Sequence, residues 1–97
     1  MTREQAIALG ETRFWESMTP REIATFQLHE PLLCMPFDVY HGAMEKALGR
    51  PVWTHEFGSA GVEGLKAELR GDLPPPTMEE IIALVPADKR MVISTEA

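Results

Sequence analysis

Residues 52–57 read Val-Trp-Thr-His-Glu-Phe (VWTHEF), set between the break Gly49-Arg50-Pro51 and the pair Gly58-Ser59. Whether this stretch is a strand decides whether the domain contains a sheet. Its β-branched and aromatic content is that of a strand. Strand alternation would place Trp53, His55 and Phe57 on one face and Val52, Thr54 and Glu56 on the other. On that reading His55 and Glu56, although adjacent, point apart and form no direct catalytic pair. The pattern favours a Trp53/His55/Phe57 face mostly covered by helices, with His55 near the rim.

Working outward, Thr25-Phe26-Gln27-Leu28-His29 also alternates polar and apolar, the period of a half-buried strand with Phe26 and Leu28 inward. Leu32 to Met35 is a short apolar run between Pro31 and Pro36, and Met91-Val92-Ile93-Ser94 reads as a final strand. Helix starts are marked by Thr2 with Gln5, by Thr19-Pro20-Arg21-Glu22 and by Thr77 with Glu80, each a capping box in which two side chains satisfy open backbone donors. Phe37, Tyr40, Met44, Ala47 and Leu48 fall on one helical face, and Gly49 suits the left-handed position after that helix. A further helix runs from near Ser59 to Gly71 with Val62, Leu65 and Leu69 inward. Met78, Ile81, Ile82 and Val85 form the buried stripe expected of the helix after Thr77. The expected fold is therefore α+β: one domain over 1–97 with three or four short strands and helices packed on the sheet. Residues 1–18 form a peripheral helical segment, and 72–76 a stiff proline-rich connector.

The chain of 97 residues can bury roughly 60–65% of its unfolded surface, enough for one core. Fifteen acidic against nine basic residues give a net charge of −6, a field that repels a phosphate backbone, so nucleic acid is not the expected partner. The acidic residues are dispersed, which argues for a solvated surface over a nucleic-acid mimic. The single cysteine, Cys34, excludes an internal disulfide and suits a reducing compartment. With no apolar run approaching a membrane span and no leader pattern, a cytoplasmic protein is expected.

Candidate chemistry is sparse. His29, Cys34, His41 and His55 carry suitable metal donors, but their spacing matches no zinc signature, and no metal or cofactor is expected. Cys34 precedes a helix start, which would favour a thiolate, yet it sits in an apolar run, where a lone cysteine is usually a small hydrophobe. Gly58-Ser59-Ala60-Gly61 lacks the spacing of a phosphate-binding loop and reads as a tight turn into a helix. Glu80 is occupied by its capping box, and the methionines read chiefly as core, with Met18, Met35 and Met91 as alternatives for an adaptable contact surface. No catalytic set is complete. The binding candidates are Trp53, His55, Glu56 and Trp15, since aromatic residues anchor interfaces when exposed.

Leu32-Leu33-Cys34, the helix through Tyr40 ending in Leu48-Gly49, and Thr54-His55-Glu56 together resemble the pattern of a family of short, uncharacterised phage, prophage and bacterial proteins, over about residues 14–93. That resemblance implies a protein made during phage or mobile-element growth and transfers no catalytic role. The expectation is a small acidic non-enzymatic interaction protein that binds or occludes a host macromolecule, a host protein above all, in host takeover or anti-defence. Two other readings stand beside it. One is a small-ligand binder or minor enzyme, with His55 and Cys34 in a pocket between the 52–57 segment and the flanking helices; the other is a self-associating accessory protein, a homo-oligomer.

Overall fold

The computed structural model describes residues 1–71 and 73–92. Its regular elements are helical: α1 (Arg3–Glu11), α2 (Pro20–Leu28), α3 (Phe37–Leu48), α4 (Ser59–Arg70) and α5 (Met78–Ala83), with 3-10 turns at Phe14–Ser17, Thr54–Phe57 and Ala87–Val92. No strand occurs among the described residues, so the α+β expectation is overturned and the fold is all helical. Thr25 to His29 is the end of α2, Val52 to Phe57 is an extended entry into a 3-10 turn, and Met91-Val92 closes another turn. The rest of the expected last strand lies outside the described residues.

Local chemistry explains most helix boundaries. Thr2, Thr19 and Thr77 each accept a hydrogen bond at 3.1 Å from the backbone N–H three residues on. Gln5, Glu22 and Glu80 return the bond to the cap backbone at 2.7, 2.9 and 2.8 Å. Each box satisfies donors that a helix start leaves open. Pro20 occupies the first turn of α2, where its missing N–H loses nothing. At the other end of α3, Gly49 takes φ 72°, a left-handed conformation that a side chain would strain.

α2 is the centre of the molecule, packing most extensively on α3 and also against α4 and α5. Ile23, Ala24, Phe26, Gln27 and Leu28 are all buried, while Arg21, Glu22 and Thr25 share the one face that reaches solvent. Phe14 meets Phe26 edge to face at 5.2 Å, and both are fully buried with Leu9, Met44, Leu65 and Val85. The N-terminal segment thus supplies Ala6, Leu9, Phe14 and Met18 to the core. Only half of the stripe expected around α5 is inside: Ile81 of α5 and Val85 just beyond its end are buried, whereas Met78 and Ile82 are exposed. Met18 and Met35 are core residues.

Arg21 closes two helices at once. From the first turn of α2 its guanidinium donates to the Leu69 carbonyl of α4 at 2.6 Å and to the Ala47 carbonyl of α3 at 3.2 Å. A cation at two helix C-termini meets the negative end of both dipoles.

Candidate functional site

Two features flank the 3-10 turn Thr54–Phe57, and both follow from how the chain leaves α3. After Gly49, α3 grips Val52 through its backbone: the Glu45 carboxylate accepts from Val52 N–H at 2.9 Å, and His41 Nε2–H donates to Val52 C=O at 2.6 Å. Val52 is thereby buried with both polar groups satisfied.

The first feature is a charged clamp on the outer side of the turn. Arg50 forks onto two carboxylates, reaching Glu56 at 2.8 and 3.2 Å and Glu68 of α4 at 2.8 and 2.9 Å. Such paired, charge-assisted bonds fix orientation as well as distance. Glu56 also accepts from Trp53 N–H at 2.9 Å, which ties the start of the turn to its end. The Arg50 bonds, with that backbone bond behind them, pull the Glu56 carboxyl down to about 2, and the Arg50 bond holds Glu68 low as well. On the inner side, Gly61 approaches the Glu56 backbone so closely that no Cβ could be placed there.

The clamp presents Trp53. Its indole is 69% exposed although its backbone is fixed. His55 is exposed beside it, Glu56 is the clamp itself, and Trp15 lies apart, half-buried with its ring edge-on to Phe14 at 5.7 Å. The four residues singled out from sequence therefore do not converge. The expected alternation within 52–57 also fails, because a 3-10 turn fans successive side chains around an axis.

The second feature is a cleft of about 360 Å³ on the inner side of the turn. His29 at the end of α2, Leu33 of the following loop, Phe37 and Tyr40 of α3, Phe57 of the turn and Lys66 of α4 are among its walls. Phe57 packs edge to face on Phe37 at 5.1 Å and on Tyr40 at 4.8 Å, forming an aromatic floor. The cleft lies between the segments expected to enclose a pocket, but its imidazole is His29, and neither His55 nor Cys34 lines it. Sequence reading missed His29 by assigning it to a strand end, and missed Phe37 and Lys66 by sorting helix positions into strictly inward and outward. The signal available was the spacing Phe37-x-x-Tyr40 at the first turn of a helix that follows a proline.

Cys34 is buried and its thiol is pushed up to about 12, chiefly by desolvation, with the nearby Glu30 carboxylate adding to the effect. It donates weakly to Leu32 C=O at 3.4 Å and touches Met1 Sδ at 3.5 Å, so it is a packed hydrophobe and no nucleophile. Among the described residues no three His, Cys, Asp or Glu side chains are grouped to hold a metal ion. No described helix is long and apolar enough to cross a membrane.

The described residues thus form an all-helical domain with a clamped, Trp-bearing turn beside an aromatic cleft. The chain belongs to the family described as Domain of unknown function (DUF7736), whose model matches residues 20–76, from the first turn of α2 to the end of the proline-rich connector. The three stretches that carry the resemblance to an uncharacterised family all fall inside that match. No curated protein and no solved structure matches the sequence.

Proposed function

We propose that this chain is a non-enzymatic interaction module, encoded by a phage or other mobile element, that binds and occludes a host protein through the Trp53 turn. The observation that carries this reading is a large indole left 69% exposed on a backbone held by the Arg50–Glu56–Glu68 clamp. Exposed tryptophans dominate interface energetics when they seat in a partner's pocket, and a pre-fixed anchor loses little conformational freedom on binding. The net charge of −6 favours partners with a basic surface near the anchor and disfavours nucleic acid. In the host cell this activity serves takeover or anti-defence.

The test begins with the immobilised wild-type chain and a Trp53→Ala chain, each challenged with host lysate. A partner retained by the first and lost by the second is then purified and titrated against both. Binding weakened about 30-fold or more by Trp53→Ala, the size expected for an anchor residue, supports the proposal. Retention of the same partner by both chains, or of none by the wild type, sinks it. Circular dichroism of Trp53→Ala must match the wild type, as an exposed side chain predicts.

A further inference from the structure

The cleft beside the turn is a separate site from the Trp53 surface, and its polar groups are unevenly committed. Gln27, which lines it, is fully used: its amide donates to Glu30 C=O and Leu32 C=O and accepts from Cys34 N–H. Tyr40 is the opposite case. Its ring packs against Phe37 and Phe57, the residue is only 7% exposed, and its hydroxyl has no hydrogen-bond partner among the described residues. A buried hydroxyl left without a partner is unfavourable, so such groups in folded proteins are usually answered by a ligand or a water.

The other free groups in the cleft come in two signs. His29 donates Nδ1–H to Thr25 C=O at 2.8 Å, which leaves Nε2 as an acceptor in the neutral ring. Glu30 uses one oxygen on Leu32 N–H at 3.0 Å, and its second oxygen has no partner among the described residues. Against these acceptors stand two donors, the Tyr40 hydroxyl and the Lys66 ammonium, which makes one 3.3 Å contact to the highly exposed Glu63. Phe37, Phe57 and Leu33 supply the apolar wall, with Phe37 39% and Leu33 51% exposed.

We infer that this cleft binds a small zwitterion with an apolar body, of the apolar α-amino-acid class. Its carboxylate is received by Lys66 and the Tyr40 hydroxyl, its ammonium by Glu30 and His29 Nε2, and its side chain by the aromatic floor. A simple anion would meet Glu30 unpaired and a simple cation would meet Lys66, so each sign on the protein excludes one class of singly charged ligand. The volume of about 360 Å³ lies at the small end of ligand pockets and suits a single amino acid.

The experiment titrates the purified chain, without any partner, against L-phenylalanine, L-phenylalaninamide, which lacks the carboxylate, and N-acetyl-L-phenylalanine, which lacks the ammonium. Backbone amide shifts report where each binds. The expected result is saturable perturbation of residues around 27–33, 37–41 and 62–66, with each derivative binding about tenfold more weakly than phenylalanine for the loss of a charge-assisted bond. Lys66→Gln should erase the preference over the amide alone, and Glu30→Gln the preference over the acetyl derivative alone. Tyr40→Phe should weaken all three. Lys66→Gln alters a surface side chain and keeps the test valid should Tyr40→Phe perturb the fold. Equal binding of all three compounds, discrimination that survives both charge-neutral variants, perturbation elsewhere, or no saturable perturbation overturns the inference.

Discussion

Gln27 Oε1 accepts a 2.8 Å hydrogen bond from the backbone N–H of Cys34, so a buried side chain of α2 organises the loop that leads into α3. The same amide donates to Glu30 C=O at 3.1 Å and Leu32 C=O at 2.8 Å. Three backbone groups of one loop therefore depend on one residue. Gln27→Leu keeps the volume, strands Glu30 C=O and Cys34 N–H and leaves Leu32 C=O only its weak bond from the Cys34 thiol, and should destabilise the protein by about 2–4 kcal/mol in urea unfolding, against about 1 kcal/mol or less for an exposed position such as Glu79→Gln. Equal midpoints for the two variants would contradict this account.

Two glycines of α4 separate packing from helix propensity. A Cβ at Gly61 collides with the Glu56 backbone, whereas one at Gly64 meets nothing within 4 Å. Gly61→Ala should lower stability by about 2 kcal/mol or more because backbone must move. Gly64→Ala should raise it by about 0.5–1 kcal/mol, through the unfolded chain's lost freedom. Thermal melts of the pair give opposite signs if the close approach at Gly61 is as described.

The clamp makes stability depend on acid in a defined window. Glu56 titrates at about 2 when folded against an ordinary value of 4.5, so the folded state binds this proton less tightly than the unfolded one. The contribution is complete above pH 4.5 and is lost as the pH falls toward 2. Melting temperatures between pH 5 and pH 2 should fall in the wild type and fall less steeply in Glu56→Gln. A carboxyl NMR titration of Glu56 with its midpoint near 4.5 would mean that the clamp does not hold in solution, and rising salt should soften the effect.

Cys34 should resist thiol reagents in the native protein. With its thiol buried and raised to about 12, almost no thiolate is present at pH 8 and the sulfur is out of reach. Labelling by a disulfide reagent should proceed only through opening of the structure and become fast in denaturant. Labelling of the folded chain at the rate of a free cysteine would refute this.

The helix starts at Thr2, Thr19 and Thr77 were legible in the sequence because a capping box is a local signal, complete within four residues. The end of α3 was legible for a similar reason, since Gly49 takes the conformation that glycine alone adopts without strain. The sheet was an error with two separate physical causes. At Thr25 to His29, α2 is buried on most sides and carries a polar residue, Gln27, whose partners lie in the next loop. The alternation arises because Gln27 lies on the buried side with Phe26 and Leu28, while Thr25 and His29 take the partly exposed face. At Val52 to Phe57, strand-like side chains are overruled by contacts that the local sequence does not announce: Arg50 to Glu68, and Gly61 to the Glu56 backbone. A Glu three residues after Trp53 did mark a turn start, but it lacked the Ser or Thr that makes the signal recognisable. Trp53 is a candidate by residue type, and the fold leaves it exposed. The cleft was not legible in the sequence, because His29, Tyr40 and Lys66 belong to three different helices or helix ends and meet only in the folded chain.

Arg21 constrains how the lengths of α3 and α4 can change in this chain. One guanidinium ends both α3 and α4, so their last carbonyls must arrive at the same place together. Inserting a single residue within either helix advances its terminus by about 1.5 Å and rotates it by about 100°. That would turn one carbonyl away while leaving the other in place. The two helices are therefore locked in step: the lengths of α3 and α4 cannot change independently without giving up one of the two Arg21 bonds.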